Sequence, residues 1–330
     1  IVIPMPYLIL SIIVLILGSL WNLIKYIFNG FIKVLVALLN TKALLVFPTK
    51  LVEIKADNQV IVFGLGTPGV TTYLAALTLL SSRKIGNILL RIEPLNHNSK
   101  GLSESAKNVM MQSSLLLGSC SIERYFFGFT IDQKYILGKR TITHGCFSCK
   151  DFPRGTPFQN DLSYLDGGLR TEENINLNEA DILILILFNG QMNEKDLLAE
   201  LKPIINELRK REKLGTSRIA IGLNRCDDVK LYTQLRRFGA EKLFEKLFPK
   251  AYQINKALKT VFEIEYFAMS NFGMISTKPP VPNVNQTLLD NGYTSGTLKN
   301  SQVWKPFGLI SPLYWLSTGK RHPQLDKDYL

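Results

Sequence analysis

Residues 60–77, VIVFGLGTPGVTTYLAAL, join an apolar run, a glycine-rich turn and a helix start without a spacer. This order constrains the chain more than any other segment does. Val60 to Phe63 read as a strand buried on both faces, which occurs where helices cover both sides of a parallel sheet. Gly64, Gly66 and Gly69 permit a tight reversal, and the residues from Val70 onward have the character of a helix leaving that turn. Successive backbone N–H groups at such a turn, backed by a helix dipole, suit an anion.

The rest of the chain continues the alternation. Strands are expected at 59–64, 87–92, 180–188, 217–224 and 261–270, and helices at 70–82, 104–117, 192–213 and 228–247. The segments 124–136 and 140–151 flank Leu137-Gly138-Lys139 and read as an antiparallel hairpin. The tail holds a loop, KPPVPN, and an apolar-aromatic stretch, VWKPFGLISPLYWLSTGK. Of the 330 residues 46% are hydrophobic, enough to bury a sizeable core.

The N-terminal 24 residues carry no charge. As a helix from Pro6 to Ile24 they would be about 28 Å long, close to the hydrocarbon thickness of a bilayer. Trp21 and Tyr26 stand where interfacial aromatics belong. Lys25, Lys33, Lys42 and Lys50 follow, with no acid before Glu53, and YIFNGFI and VLVALLN between them read as an interfacial or second membrane helix. By the positive-inside rule the domain after residue 50 faces the cytoplasm. A net charge of +12 fits an anionic lipid surface. Four scattered cysteines, Cys120, Cys146, Cys149 and Cys226, are too few for a disulfide framework and indicate a reducing compartment.

Four segments carry chemistry. Gly64-x4-Gly69-Val70-Thr71 follows the phosphate-loop pattern Gly-x4-Gly-Lys-Ser/Thr at every position but one. Thr71 is placed to hold Mg²⁺, with Thr72 beside it, but Val70 occupies the lysine position and cannot reach a β- or γ-phosphate. Asn224-Arg225-Cys226-Asp227 follows a buried strand about 155 residues later and matches the guanine-reading pattern Asn-Lys/Arg-x-Asp. The Asp227 carboxylate can accept both N1–H and N2–H of guanine, a fit that adenine cannot return. Ser270-Asn271-Phe272-Gly273 is the third segment, with Ser270 at the end of a strand. The fourth, Asp151-Phe152-Pro153-Arg154-Gly155, ends the hairpin and offers Asp151 to the metal, with Asp166-Gly167-Gly168 as a rival.

In this order the segments resemble the translation-factor-related class of P-loop GTPases, and within it bacterial double-GTPase domains. The likeness lies in the phosphate loop running into TTYLAAL, an Asp-x-Pro-Gly-like turn, ADILILIL, Asn-x-x-Asp and a closing ISPLYWL, and it covers about residues 58–318. It implies an α/β Ras-like domain, a mostly parallel sheet with one antiparallel hairpin strand, that binds GTP or GDP with Mg²⁺. A membrane anchor at 1–50, a GTPase-like domain at 51–275 and a C-terminal extension at 276–330 complete the expected organisation. The nucleotide contacts fall on Gly64, Gly69, Val70, Thr71, Thr72, Asn224, Arg225, Asp227 and Ser270, and the metal contacts on Thr71 and Asp151. Ser103, Ser105 and Thr156 are candidates for sensing the γ-phosphate, and no catalytic residue is assigned.

Other constellations carry less. His144, Cys146 and Cys149 offer three ligands where a closed zinc site needs four, and their alternation suits a hairpin strand. Arg209-Lys210-Arg211 and Arg236-Arg237 lack the interleaved aromatics of a nucleic-acid surface, so nucleic acid is disfavoured as a partner. The expected function is therefore a degenerate GTPase-like subunit or scaffold in a membrane-associated protein assembly. The alternatives are a GTP switch that hydrolyses slowly or with a partner-supplied residue, and a basic membrane protein that binds lipid or nucleic acid without nucleotide.

Overall fold

The computed structural model describes residues 17–31, 50–65, 69–81, 84–85, 87–112, 123–134, 139–151, 183–210, 218–288 and 294–326. The chain divides into two compact units, one of residues 1–50 with 136–138 and one of 51–135 with 139–330. In the first unit, 17–31 form helix α1, whose residues are all exposed. The Nζ atom of Lys25 lies 5.6 Å from the ring centroid of Trp21. Among the described residues no helix is long and apolar enough to cross a membrane. Residues 6–16 of the expected span, and 34–40 of the expected second helix, lie outside the described residues. The helix also runs past residue 24, so YIFNGFI begins as a continuation of α1 and not as a separate element.

The second unit is a mixed α/β fold. Its eight-stranded sheet is built from β1 (Lys50–Leu65), β2 (Lys84–Ile85), β3 (Ile88–Pro94), β4 (Glu123–Lys134), β5 (Lys139–Asp151), β6 (Leu183–Asn189), β7 (Arg218–Asn224) and β8 (Glu263–Ala268). The spatial order is β2-β3-β4-β5-β1-β6-β7-β8. β1, β6, β7 and β8 are parallel, with Leu65 opposite Phe188, Asn189 opposite Asn224, and Leu223 opposite Ala268. All seven residues of β6 are buried, as expected of a strand covered on both sides. Four carboxyl ends therefore finish at one level.

The other half of the sheet corrects the expected single antiparallel strand. β2, β3, β4 and β5 form an antiparallel meander. Ile88, Leu90 and Ile92 are the buried residues of β3, and Ile92 and Leu90 lie opposite the buried Phe129 and Ile131 of β4. The cross-strand pairs Ile92–Phe129 and Leu90–Ile131 hold β3 in the meander and not in the parallel half.

Helices cover both faces. Val60 and Val62 of β1 join a core with α2 (Val70–Leu80), α3 (His97–Gln112) and α8 (Ser311–Thr318). Ile61, Phe63 and Leu65 point the other way, into a core with α4 (Glu194–Lys210), α5 (Val229–Phe238), α6 (Ala240–Leu247) and α7 (Pro249–Leu258). The expected helix 228–247 is two helices, because Gly239 breaks it at φ 79°, ψ 173°. α3 starts at His97, earlier than expected, with Asn96 Oδ1 accepting the Ser99 N–H at 2.9 Å.

The tail folds back on this unit. KPPVPN belongs to hairpin β9–β10 (Met274–Thr277, Pro280–Pro282), and β11–β12 (Val284–Leu288, Thr294–Leu298) follows it. Short helix α9 (Pro323–Asp326) closes the described chain. Trp304, and Tyr314 and Trp315 of α8, are buried in the core they share with α2.

Candidate functional site

The carboxyl ends of the parallel strands form the crevice where an open α/β sheet places a ligand. β1 ends at Leu65, and Gly64 is still paired within it, opposite Leu187. Residues 66–68 lie outside the described residues. Gly69 precedes α2 in the left-handed conformation, φ 72° and ψ 48°, and its carbonyl accepts the Tyr73 N–H at 2.8 Å. No side chain caps this helix start.

Val70 is 8% exposed and packs in the core with Tyr73, Leu74 and Leu77. Position 70 thus contributes apolar contact to the fold and no cation to the turn. Thr71 and Thr72 follow, both half-buried.

β7 delivers the second segment. Asn224 is 1% exposed; its Oδ1 accepts the Arg225 N–H at 2.8 Å and its carbonyl accepts the Gly190 N–H at 3.3 Å. Arg225 has φ 60°, a conformation that a non-glycine residue adopts at a cost of order 1–3 kcal/mol. Its Nη1 donates to Gln191 Oε1 at 3.2 Å, which fastens the loop after β7 to the loop after β6.

The two aspartates that follow divide the work. Asp228 caps α5, its Oδ1 accepting from the N–H groups of Lys230 and Leu231 at 2.9 and 3.1 Å. Asp227 is 4% exposed, and its Oδ2 has no hydrogen-bond partner. Burial drives its carboxyl up to about 6, against the opposing pull of a backbone hydrogen bond, the Ser270 hydroxyl and the Arg225 charge. Cys226 between them is fully buried, its thiol pushed up to about 12 by desolvation.

Ser270 meets Asp227 from the loop after β8. It is fully buried, its Oγ accepts the Gly273 N–H at 2.8 Å, and its backbone bridges to Phe307 in the tail. Asn271 beside it escaped the sequence reading as a site residue. A Cβ built at Gly69 would lie 3.7 Å from Asn271 Nδ2, so this amide stands against the turn before α2. Asn271 is 5% exposed, its Oδ1 is unpartnered, and its carbonyl accepts the Trp304 Nε1–H at 2.9 Å. The sequence signal was only adjacency to Ser270.

Gly69, Asn224, Arg225, Asp227 and Ser270 therefore all lie at or just beyond the carboxyl ends of the parallel strands, with Asn271 reaching Gly69 across them. Asp151 is the last residue of β5, and its side chain lies outside the described residues, as do Arg154, Thr156 and Asp166. The expected metal pairing of Thr71 with Asp151 therefore lies outside the described residues. Among the described residues no group of three His, Cys, Asp or Glu could hold a metal ion.

Ser103 and Ser105 lie within α3. Their hydroxyls donate to the carbonyls of Ser99 and Gly101, one turn back in α3. His144 lies between Thr130 Oγ1 and Glu53 Oε1, each at 3.2 Å. No protein-family model matches the chain, and no curated protein matches it either.

Proposed function

We propose that the chain is a membrane-associated, Ras-like guanine-nucleotide-binding domain with a degenerate phosphate loop, acting as a subunit or scaffold of an assembly and not as a fast hydrolase. The observation that carries this reading is Asp227, a buried carboxylate with one unpartnered oxygen at the ligand-binding end of the sheet. An unmet buried acceptor costs about 1–3 kcal/mol, and guanine N1–H and N2–H would satisfy it. The crossing order around β1, with β6, β7 and β8 parallel on one side and the hairpin β4–β5 on the other, supports a Ras-like arrangement. Slow turnover follows from Val70, since phosphoryl transfer depends on a positioned charge that valine lacks.

The membrane part rests on α1. Leu17, Trp21, Phe28 and Phe31 are 58–64% exposed on it, and the lysines that follow the uncharged run favour an anionic leaflet. The test is titration of the full chain with GTP, GDP and ATP, with and without Mg²⁺, alongside phosphate release. Guanine nucleotides should bind and ATP should not, with hydrolysis no faster than about 10⁻³ per second. Preference for ATP would overturn the role of Asp227, and rapid Mg²⁺-dependent turnover would overturn the degenerate loop.

A further inference from the structure

Half of the chain's net charge sits on one part of the sheet's outer layer. Residues 229–259 hold eight Lys and Arg against two Glu, a surplus of six within the +12 of the whole chain. They span α5 to α7, which cover the sheet face opposite α2, α3 and α8. The two acids lie on one side of α6. Glu241 Oε1 accepts from Lys259 Nζ at 2.8 Å and from the Tyr252 hydroxyl at 3.2 Å, and Glu245 follows one turn on along the same side.

The other side of α6 is basic. Lys242 and Lys246, four residues apart, are exposed, and Lys246 Nζ lies 3.4 Å from the ring centroid of Phe238 at the end of α5. Arg237 lies over the same half-buried ring, its Cζ 5.0 Å from the centroid. Lys230 stands two turns before Arg237 on the same stripe of α5. Among the described residues none of these four side chains has a carboxylate at ion-pair distance.

Four uncompensated cations suit a surface of fixed negative charge. Lys246 and Arg237 already cover the Phe238 ring, so it offers no open face on which a nucleic-acid base could stack. A leaflet of anionic phospholipid needs no such face and no shaped pocket. The uncharged N-terminal run and the four lysines that follow it call for the same leaflet.

We infer that the α5–α6 face, through Lys230, Arg237, Lys242 and Lys246, docks on the anionic phospholipid headgroups of the membrane. The inference rests on the membrane part of the reading above and says which surface of the second unit meets lipid. Each such cation is worth roughly fivefold in affinity at an anionic surface.

The experiment is amine acetylation of the full wild-type chain on phosphatidylcholine vesicles with and without about 30% phosphatidylglycerol. Mass spectrometry reads the rate at each lysine, and flotation reports association. Lys242 and Lys246 should react at least about threefold more slowly on the anionic vesicles, while Lys100 and Lys107 of α3, on the opposite sheet face, react about equally on both. Raising the salt to about 0.5 M, where the screening length is roughly 4 Å, should remove the difference. A chain that floats with both vesicles and shows no slowing at Lys242 and Lys246, or equal slowing at Lys100 and Lys107, overturns the inference and leaves the membrane reading standing. A chain that floats with neither overturns both. Protection of Lys242 and Lys246 by single-stranded RNA and not by anionic vesicles assigns the face to nucleic acid and overturns the inference.

Discussion

The Ser270 hydroxyl hydrogen-bonds the Asp227 carboxylate, while Oδ2 of Asp227, in a residue 4% exposed, has no partner. The loop after β8 thus steadies the carboxylate, and in the proposed function Oδ2 accepts an N–H of the base. The neighbouring Asp228 cannot take that role, because its carboxylate already caps α5. Three strand-end loops converge on this arrangement, and the predictions below test its separate parts.

Asp227 lowers the stability of the unliganded chain at neutral pH. Its folded value of about 6 lies above the ordinary 3.8, so between these the folded state holds a proton that the unfolded state has released. Stability from this group therefore falls as pH rises from about 4 to about 6 and is flat above. The penalty above pH 6 is on the order of 3 kcal/mol. Asp227→Asn removes it, so the variant should melt higher than wild type at pH 7.5 and nearly together with it at pH 4. A wild-type chain that is the more stable at pH 7.5 would show the carboxylate to be satisfied.

Asn271→Leu tests whether its amide serves a ligand or the fold. The substitution keeps the branched heavy-atom skeleton and removes an unpartnered buried oxygen, so the urea midpoint should hold or rise. Guanine-nucleotide affinity should fall about tenfold, the worth of one hydrogen bond of about 1.4 kcal/mol. A fall in stability with unchanged affinity would make Asn271 a packing residue.

Val70→Lys should not restore a working phosphate loop. The side chain at 70 is directed into the core with Leu74 and Leu77, so an ammonium there must be dragged through apolar surroundings. A loss of roughly 2 kcal/mol or more in urea unfolding is expected, with no gain in phosphate release. Unchanged stability with faster hydrolysis would mean that position 70 reaches the turn.

Gly308→Ala should loosen the tail from the site. Gly308 has φ 71°, and a Cβ there would lie 1.9 Å from the Ala268 carbonyl oxygen, a backbone atom that cannot turn aside. The expected cost exceeds about 2 kcal/mol, with faster hydrogen exchange at the Ser270 and Phe307 amides, which bond each other's carbonyls at 3.0 and 3.2 Å. Gly239→Ala is the control: its φ is 79°, but nothing lies within 4 Å, so the cost should be smaller and the exchange at Ser270 unchanged.

The parallel half of the sheet was legible because its strands are apolar on both faces; β6 and β7 need no partner pattern to be recognised. The direction of β3 was not, since the alternation of Ile88, Leu90 and Ile92 marks a buried face without saying which neighbour covers it. Gly239 stands in the sequence of the expected 228–247 helix, yet the apolar spacing continues on both sides and hides the break. Asp227 could be named from its four-residue pattern. Asn271 could not, because its approach to Gly69 joins loops about 200 residues apart and depends on Trp304 and Phe307 closing from the tail.

The central claim is that Asp227 reads the edge of a guanine base, and the most direct measurement is a change of base specificity in the full chain. Xanthine carries a carbonyl where guanine carries its 2-amino group, so the Asp227→Asn amide can donate where the carboxylate accepted. Wild type should bind GDP at least about 100-fold tighter than xanthosine diphosphate, and the Asp227→Asn chain should reverse that order. A variant that keeps its preference for GDP, or a wild type that holds both equally, would contradict the account.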